Sequence, residues 1–284
     1  MIEWINLREE RDFGEKINAT FHFVRQNFKN LSLCLLLMGA PIMIAGILLF
    51  RYIMGLIRIV PDNQNPTGSF VTLMVFFLIY MIAGAWLMAI TYSYMNEYLE
   101  GNREITPGKV FKRAAKKIGK VLGANVIIMI LSMIASALFV IPGIFLAVAL
   151  SFVIVILMIE DKSIIKSISR SISLIRGKWW STFGILVVIG IIVGLIQFVI
   201  NMILAIISAL PRLMHQTVYV PEISKILFLS LASIGASMLL PLLYIAIAFQ
   251  YFNLVECKES QGLRQQIDLA ENKTVLTLKN EGDY

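Results

Sequence analysis

The chain has 284 residues, 58% of them apolar and only 15% charged, with a mean hydropathy of +0.80 and a formal net charge of +7. A soluble domain is about 45–50% apolar and about 25% charged, so this balance excludes an ordinary water-soluble globule and a disordered chain. With Cys34 and Cys257 as the only cysteines, a disulfide-built scaffold is excluded as well.

The opening segment, Met1–Lys16, is strongly charged and has no apolar run ahead of a small-residue cleavage site, so no removable signal peptide is expected. Helical spacing then places Phe13, Ile17, Phe21, Val24 and Phe28 on one face, which predicts an amphipathic surface helix within residues 1–30. A bilayer core about 30 Å thick needs roughly 20 mostly apolar residues per helix, because backbone polar groups in hydrocarbon must pair internally. The first such span runs from Leu31 to about Phe50, and the second from about Phe70 to Tyr94.

A second surface helix is predicted between Pro107 and Lys120. Val110, Phe111, Ala114, Ile118 and Val121 share its apolar face, and Lys109, Lys112, Arg113, Lys116, Lys117 and Lys120 cover the rest. Thr106-Pro107 supplies a cap and first turn. The third span, Val121–Ile141, is expected to turn through Pro142-Gly143 into the fourth, Ile144–Ile159. Asp161 is the expected cap of a third surface helix in which Ile164, Ile165, Ile168, Ile172 and Ile175 align. The fifth span covers roughly Ser181–Leu210 and the sixth Ile226–Phe252. The expected fold is all-α: a six-span membrane domain over residues 31–256, built as three hairpins, each preceded by a surface helix. Residues 257–284 form a polar tail.

Lysine and arginine counts orient the chain. Five precede the first span, seven lie between spans two and three, five between four and five, and four in the tail. The opposite side holds only Arg51, Arg58, Arg212 and Lys225. Both termini are therefore expected in the cytoplasm, with the protein in the cytoplasmic membrane. Tyr92, Tyr94, Tyr98, Trp179, Trp180 and Tyr251 fall at the same border, where amphipathic rings favour the headgroup level.

No ionisable residue falls inside a span, which argues against a proton relay or a carboxylate-driven pump. Gly190, Gly194, Gln197, Asn201, Ala205 and Ser208 share one face of the fifth span, suited to a helix–helix seam or to the lining for an amphipathic molecule. Pro41 and Pro241 are expected to kink the first and last spans. His22 and His215 lie far apart, with no cysteine or carboxylate pair at metal-ligand spacing, and no phosphate-cradling loop or nucleophile elbow occurs. No catalytic residue, metal or cofactor is expected.

The run Ile141-Pro142-Gly143, a long apolar span, Glu160-Asp161, Ser169-Arg170-Ser171 and Leu174-Ile175-Arg176-Gly177-Lys178-Trp179-Trp180 resembles the membrane-domain family associated with some glycerophosphodiester phosphodiesterases. Related six-span bacterial families share the pattern, and the match is best over Val121–Leu195. The chain carries no phosphodiesterase barrel, so the resemblance implies an integral membrane domain that acts as a membrane partner or regulator. Within the motif, Glu160 within reach of Arg170 or Arg176 would pin the third surface helix against the bundle.

These readings predict a non-enzymatic membrane scaffold or accessory protein. The alternative is an exporter of an amphipathic small molecule, lipid or peptide. Anionic lipid headgroups are the expected contacts of Lys109, Lys112, Arg113, Lys116, Lys117 and Lys120 and of Trp179 and Trp180, with a protein partner or a second copy as the other candidates. Nucleic acid is not expected, because no stacking aromatics interleave with the lysines.

Overall fold

The computed structural model of the chain describes residues 4–59, 66–102, 105–213, 232 and 234–260, and among these every regular element is helical. The helices are α1 (Phe13–Ile59), α2 (Pro66–Leu99), α3 (Pro107–Leu138), α4 (Val140–Ala149), α5 (Val153–Ile159), α6 (Ile164–Ile175), α7 (Trp179–Leu213) and α8 (Leu240–Glu259). Six helical segments are long and apolar enough to cross a membrane: Phe13–Ile53, Leu73–Leu99, Pro107–Leu138, Val140–Ile159, Trp179–Ile207 and Ile234–Glu259. The expected start of the sixth span at Ile226, together with His215, Lys225 and the tail beyond Ser260, lies outside the described residues.

Several boundaries differ from the sequence expectation. The first two predicted surface helices are not separate elements, because α1 and α3 run unbroken from their polar starts into their apolar lengths. Pro41 sits inside the continuous α1, while Pro241 stands at the start of α8, where its missing N–H has no helical partner to lose. The chain ahead of it breaks at Met238–Leu239. The turn between α3 and α4 is made by Phe139, whose backbone is extended, and not by Pro142-Gly143, which falls in the first turn of α4. There proline is tolerated, and Gly143 is required by closeness: a Cβ on it would lie 2.0 Å from Ser136 Oγ and 3.0 Å from Ser136 Cα.

The predicted fourth span is two helices. Leu150–Phe152 interrupts it, leaving Ala149 at the end of α4 and Val153 at the start of α5. Such a break is acceptable in an apolar setting only where protein surrounds it, and Leu150 and Phe152 are both fully enclosed.

Packing is uneven. In the final apolar segment 78% of the 18-residue apolar stretch is buried and the segment is the centre of the bundle, whereas in the segment containing α3 the corresponding share is 11% and it lies at the periphery. Around α8, Phe23 meets Tyr94, Tyr98 and Phe249 edge to face at 5.0–6.4 Å. Tyr94 Oη donates to Asn27 Oδ1 at 3.0 Å, Ile5 N donates to Tyr98 Oη at 2.9 Å, and Trp86 Nε1 donates to Met38 O at 2.9 Å. Each buried ring thus finds a partner for its polar tip. Toward the far ends of α1, α2, α3 and α7, large apolar side chains such as Leu49, Phe76, Met133 and Phe198 stand exposed.

Gly143→Ala should cost about 1–3 kcal/mol through forced separation of α3 and α4. Its thermal midpoint in detergent should fall clearly below wild type, while Gly190→Ala, where a Cβ meets nothing within 4 Å, should leave the midpoint unchanged.

Candidate functional site

The densest polar constellation gathers where α2, α5 and α8 end, around the short helix α6. Its N-terminal residue is capped by the extended backbone of Ser163, so Asp161 does not act as the cap. Gly177, with φ of 80°, then turns the chain from α6 into α7. The buried side of α6 is Ser167, Ser171, Leu174 and Ile175. Ile164 and Ile168 are half-buried, and Ile165 and Ile172 point away from the bundle, Ile165 being 80% exposed.

Three contacts order α6 along the interrupted fourth segment. Arg170 meets Glu160, Ser171 Oγ donates to Ala149 O at 2.7 Å, and Trp179 Nε1 donates to Phe145 O at 3.1 Å. The partners recede along one chain as they advance along the other, so α6 and the start of α7 run antiparallel to α4–α5. Trp179 is stacked between Phe145 and Phe183 at 5.4 and 5.1 Å, while Trp180 lies edge-on to it and is 77% exposed.

Charged groups then hold the helix from two sides. Arg170 Nε lies 3.1 Å from Glu160 Oε1, and its Nη1 and Nη2 grip both oxygens of Glu259, the latter at 2.8 Å. Glu160 also accepts from Tyr251 Oη at 2.6 Å and pairs with Lys162. Lys258 Nζ donates to Ser173 O at 2.8 Å and Arg176 O at 3.0 Å, occupying carbonyls that the end of α6 leaves free. The α5 terminus is treated alike: Met158 O accepts from Lys117 Nζ at 3.0 Å and Asn96 Nδ2 at 3.3 Å. Lys117 further pairs with Asp161 at 3.1 Å, and Lys120 stands 3.8 Å from the same oxygen.

Burial raises the Glu160 carboxyl, but hydrogen bonds from Lys162, Tyr251 and Arg170 outweigh it and leave the group below its ordinary value. The hydrogen bond and charge of Lys117 lower Asp161 against a small opposing effect of burial. For Arg170 the Glu259 hydrogen bond dominates, and the guanidinium is held more firmly charged than usual.

The remaining predicted site residues are placed as follows. Arg176 contributes only its carbonyl, and its side chain is exposed. Arg113 belongs to a separate pair on the protein side of α3: its Nη2 is 2.8 and 2.9 Å from the Glu100 oxygens and 3.2 Å from buried Glu97. Lys109, Lys112, Lys116 and Lys120 are exposed. Gly190, Gly194 and Asn201 are exposed on α7 and Gln197 is half-buried, with Asn201 Nδ2 donating to Gln197 O at 2.9 Å. That stripe faces away from the other described helices.

Among the described residues no group of three or more His, Cys, Asp or Glu side chains could hold a metal ion. Sequence reasoning found Glu160 and Arg170 but missed Lys162, Tyr251, Lys258 and Glu259. The last two follow Glu256, the first charge after the final apolar run, and lie at the same level as Arg170.

Residues 105–254 match the family described as Domain of unknown function (DUF7847), and the chain belongs to that family. The matched region contains Val121–Leu195 and therefore α6 with most of its tethers; it does not itself connect the chain to the phosphodiesterase-associated domains. No curated protein and no solved structure matches the chain.

Arg170→Ala should strip Glu160 and Glu259 of the guanidinium they share and cost about 3 kcal/mol, which appears as roughly hundredfold faster amide exchange over residues 164–175. Because the folded Glu160 value is lowered, its contribution is full above the ordinary glutamate value and fades as pH falls through the lowered one. The protection of α6, its exchange measured against the intrinsic rate at each pH, should therefore fall on acidification in wild type and fall less in Glu160→Gln.

Proposed function

We propose that this protein is a multi-pass scaffold or accessory subunit of the cytoplasmic membrane, with both termini and the clamped α6 end in the cytoplasm, and that it performs no reaction of its own. The observation that carries this reading is the clamp. Four charged side chains, Glu160, Arg170, Lys258 and Glu259, together with Tyr251 hold one short helix still, with Ile165, Ile172 and Trp180 turned outward. A fixed helix with an exposed ridge is a contact surface, and its rigidity lowers the entropy lost when something binds.

The three-repeat layout belongs to the same proposal. In each of the three helical starts the apolar face divides between bundle and outside. Ile17 and Val24 pack against the core while Phe13, Phe21 and Phe28 are exposed. Val110, Ala114 and Val121 are buried while Phe111 is exposed, and Ile175 is buried while Ile165 and Ile172 are exposed. Such ridges suit the headgroup–acyl boundary, and the uneven distribution of lysine and arginine supports the cytoplasmic side. The resemblance of Val121–Leu195 to phosphodiesterase-associated membrane domains, which would imply a partner or regulator, fits this role. Export of an amphipathic molecule is the less favoured reading, since Gln197 and Asn201 sit on an outward stripe.

A photo-crosslinker at Ile165 in intact cells should give one discrete adduct that Ile172→Glu abolishes. Flux of an amphipathic dye through proteoliposomes of the purified protein, lost on Gln197→Leu, would replace this reading with export.

A further inference from the structure

Around the first four turns of α3 the exposed surface is ordered by chemistry. Val110, Ala114 and Val121 face the bundle. Next to them comes Phe111, half exposed and edge-on to Trp86 at 5.8 Å. Then follow Gly108, Ala115 and Gly119, all exposed, with nothing within 4 Å of a Cβ built on either glycine. Last comes a row of exposed lysines, Lys109, Lys112, Lys116 and Lys120, along about 16 Å of helix.

The nearby acids are committed elsewhere. Glu97 and Glu100 hold Arg113, and Asp161 holds Lys117 with Lys120 at its margin. Among the described residues, no carboxylate is within ion-pair distance of Lys109, Lys112 or Lys116. Lys109, Lys112 and Lys116 thus form a cationic face with no ion-pair partner among the described residues, and Lys120 at its end is held only at the margin of Asp161. It also stands on the same unbroken helix as the apolar run that ends at Leu138, so Lys120 is about 10 Å of helix from Ile127. That distance is close to one Debye length at physiological salt, near enough for a charged bilayer surface to act on every lysine of the row's upper half.

We propose that this face of α3 is a binding surface for anionic glycerophospholipid headgroups. The aromatic edge takes the acyl boundary, the open glycine–alanine strip admits the headgroup close to the backbone, and the lysines take the phosphates. The inference rests on the membrane reading above and deepens it. Nucleic acid fits less well, since the single ring of this stretch, Phe111, is turned about 145° away from the middle of the lysine row and offers no base a stacking surface on it. An acidic protein segment would need no such neighbouring apolar edge.

The test uses the full chain in nanodiscs of equimolar phosphatidylglycerol and phosphatidylcholine, with the lipid retained after mild detergent extraction counted by mass spectrometry. Each lysine near an anionic surface contributes roughly fivefold to headgroup affinity. Wild type should retain phosphatidylglycerol in clear excess, and K109Q/K112Q/K116Q/K120Q should lose about tenfold of that enrichment or more. Lys117 and Arg113 are left intact, so amide exchange of α6 should match wild type and show that the variant is folded. Equal retention by the two proteins overturns the proposal. So does loss of enrichment on adding millimolar inorganic phosphate at constant ionic strength, which would assign the row to a soluble phosphate. Tight binding of polyglutamate in pure phosphatidylcholine discs would assign it to an acidic protein instead. The Ile165 adduct is read separately, so a failure of the lipid surface and a failure of the scaffold reading are told apart.

Discussion

Arg170 stands between two carboxylates that belong to distant parts of the chain, and the geometry of the ordered end follows from it. Glu160 closes α5 and Glu259 closes α8, so one guanidinium ties three helices at a single level. A lysine could satisfy either acid as a point charge. Only the planar fork of arginine grips Glu259 with two nitrogens while its Nε serves Glu160. The side chains of this group are largely withdrawn from water, with Arg170 20% and Glu160 17% exposed. A pair in that setting is costly to break, because the survivor keeps its desolvation penalty. Tyr251, Lys162 and Lys258 complete the hydrogen bonding, which is the condition under which such a cluster stabilises at all.

From that level the character of the bundle changes along its length. Near the clamp, side chains interlock and polar tips are paired: Trp86 with Met38, Tyr94 with Asn27, Tyr98 with Ile5. Farther along, α1, α2, α3 and α7 present leucine, phenylalanine and isoleucine outward. In water such a surface would drive aggregation; in hydrocarbon it costs nothing, because lipid tails are as apolar as the side chains. The fold is therefore held by its polar end and by α8, while the apolar ends of the other helices are matched to a solvent.

The number and place of the apolar spans were legible because they depend on composition alone. Long runs without charge, such as the one from Val121 to Leu138, can be read without knowing any neighbour. Local junctions were less so. The chain reverses at Phe139 rather than at Pro142-Gly143, because proline is harmless in a first helical turn and glycine there answers the nearness of Ser136. The break at Leu150–Phe152 carries no sequence signature, having neither proline nor glycine; it is stabilised by tertiary partners, among them Ser171, which binds Ala149 O. At the clamp, Glu160 and Arg170 could be paired from their closeness in sequence. Glu259 is 89 residues from Arg170, a distance at which pattern gives no register.

The face of α6 shows why periodicity misleads in such a chain. Its isoleucines align, and in a soluble domain that alignment would mark the side buried against protein. Here Ser167 and Ser171 lie inward with Leu174 and Ile175, while Ile165 and Ile172 look out. Two helices approach closely where side chains are small, and a serine hydroxyl can reach a neighbouring backbone carbonyl, as Ser171 does. The isoleucine row is split: Ile164, Ile168 and Ile175 pack against the core while Ile165 and Ile172 are left outside. The small residues Ser167 and Ser171 therefore mark the side of close approach more sharply than the isoleucine row does. The same rule reads α3, where Ala114 packs inward and Phe111 stands half exposed beside it.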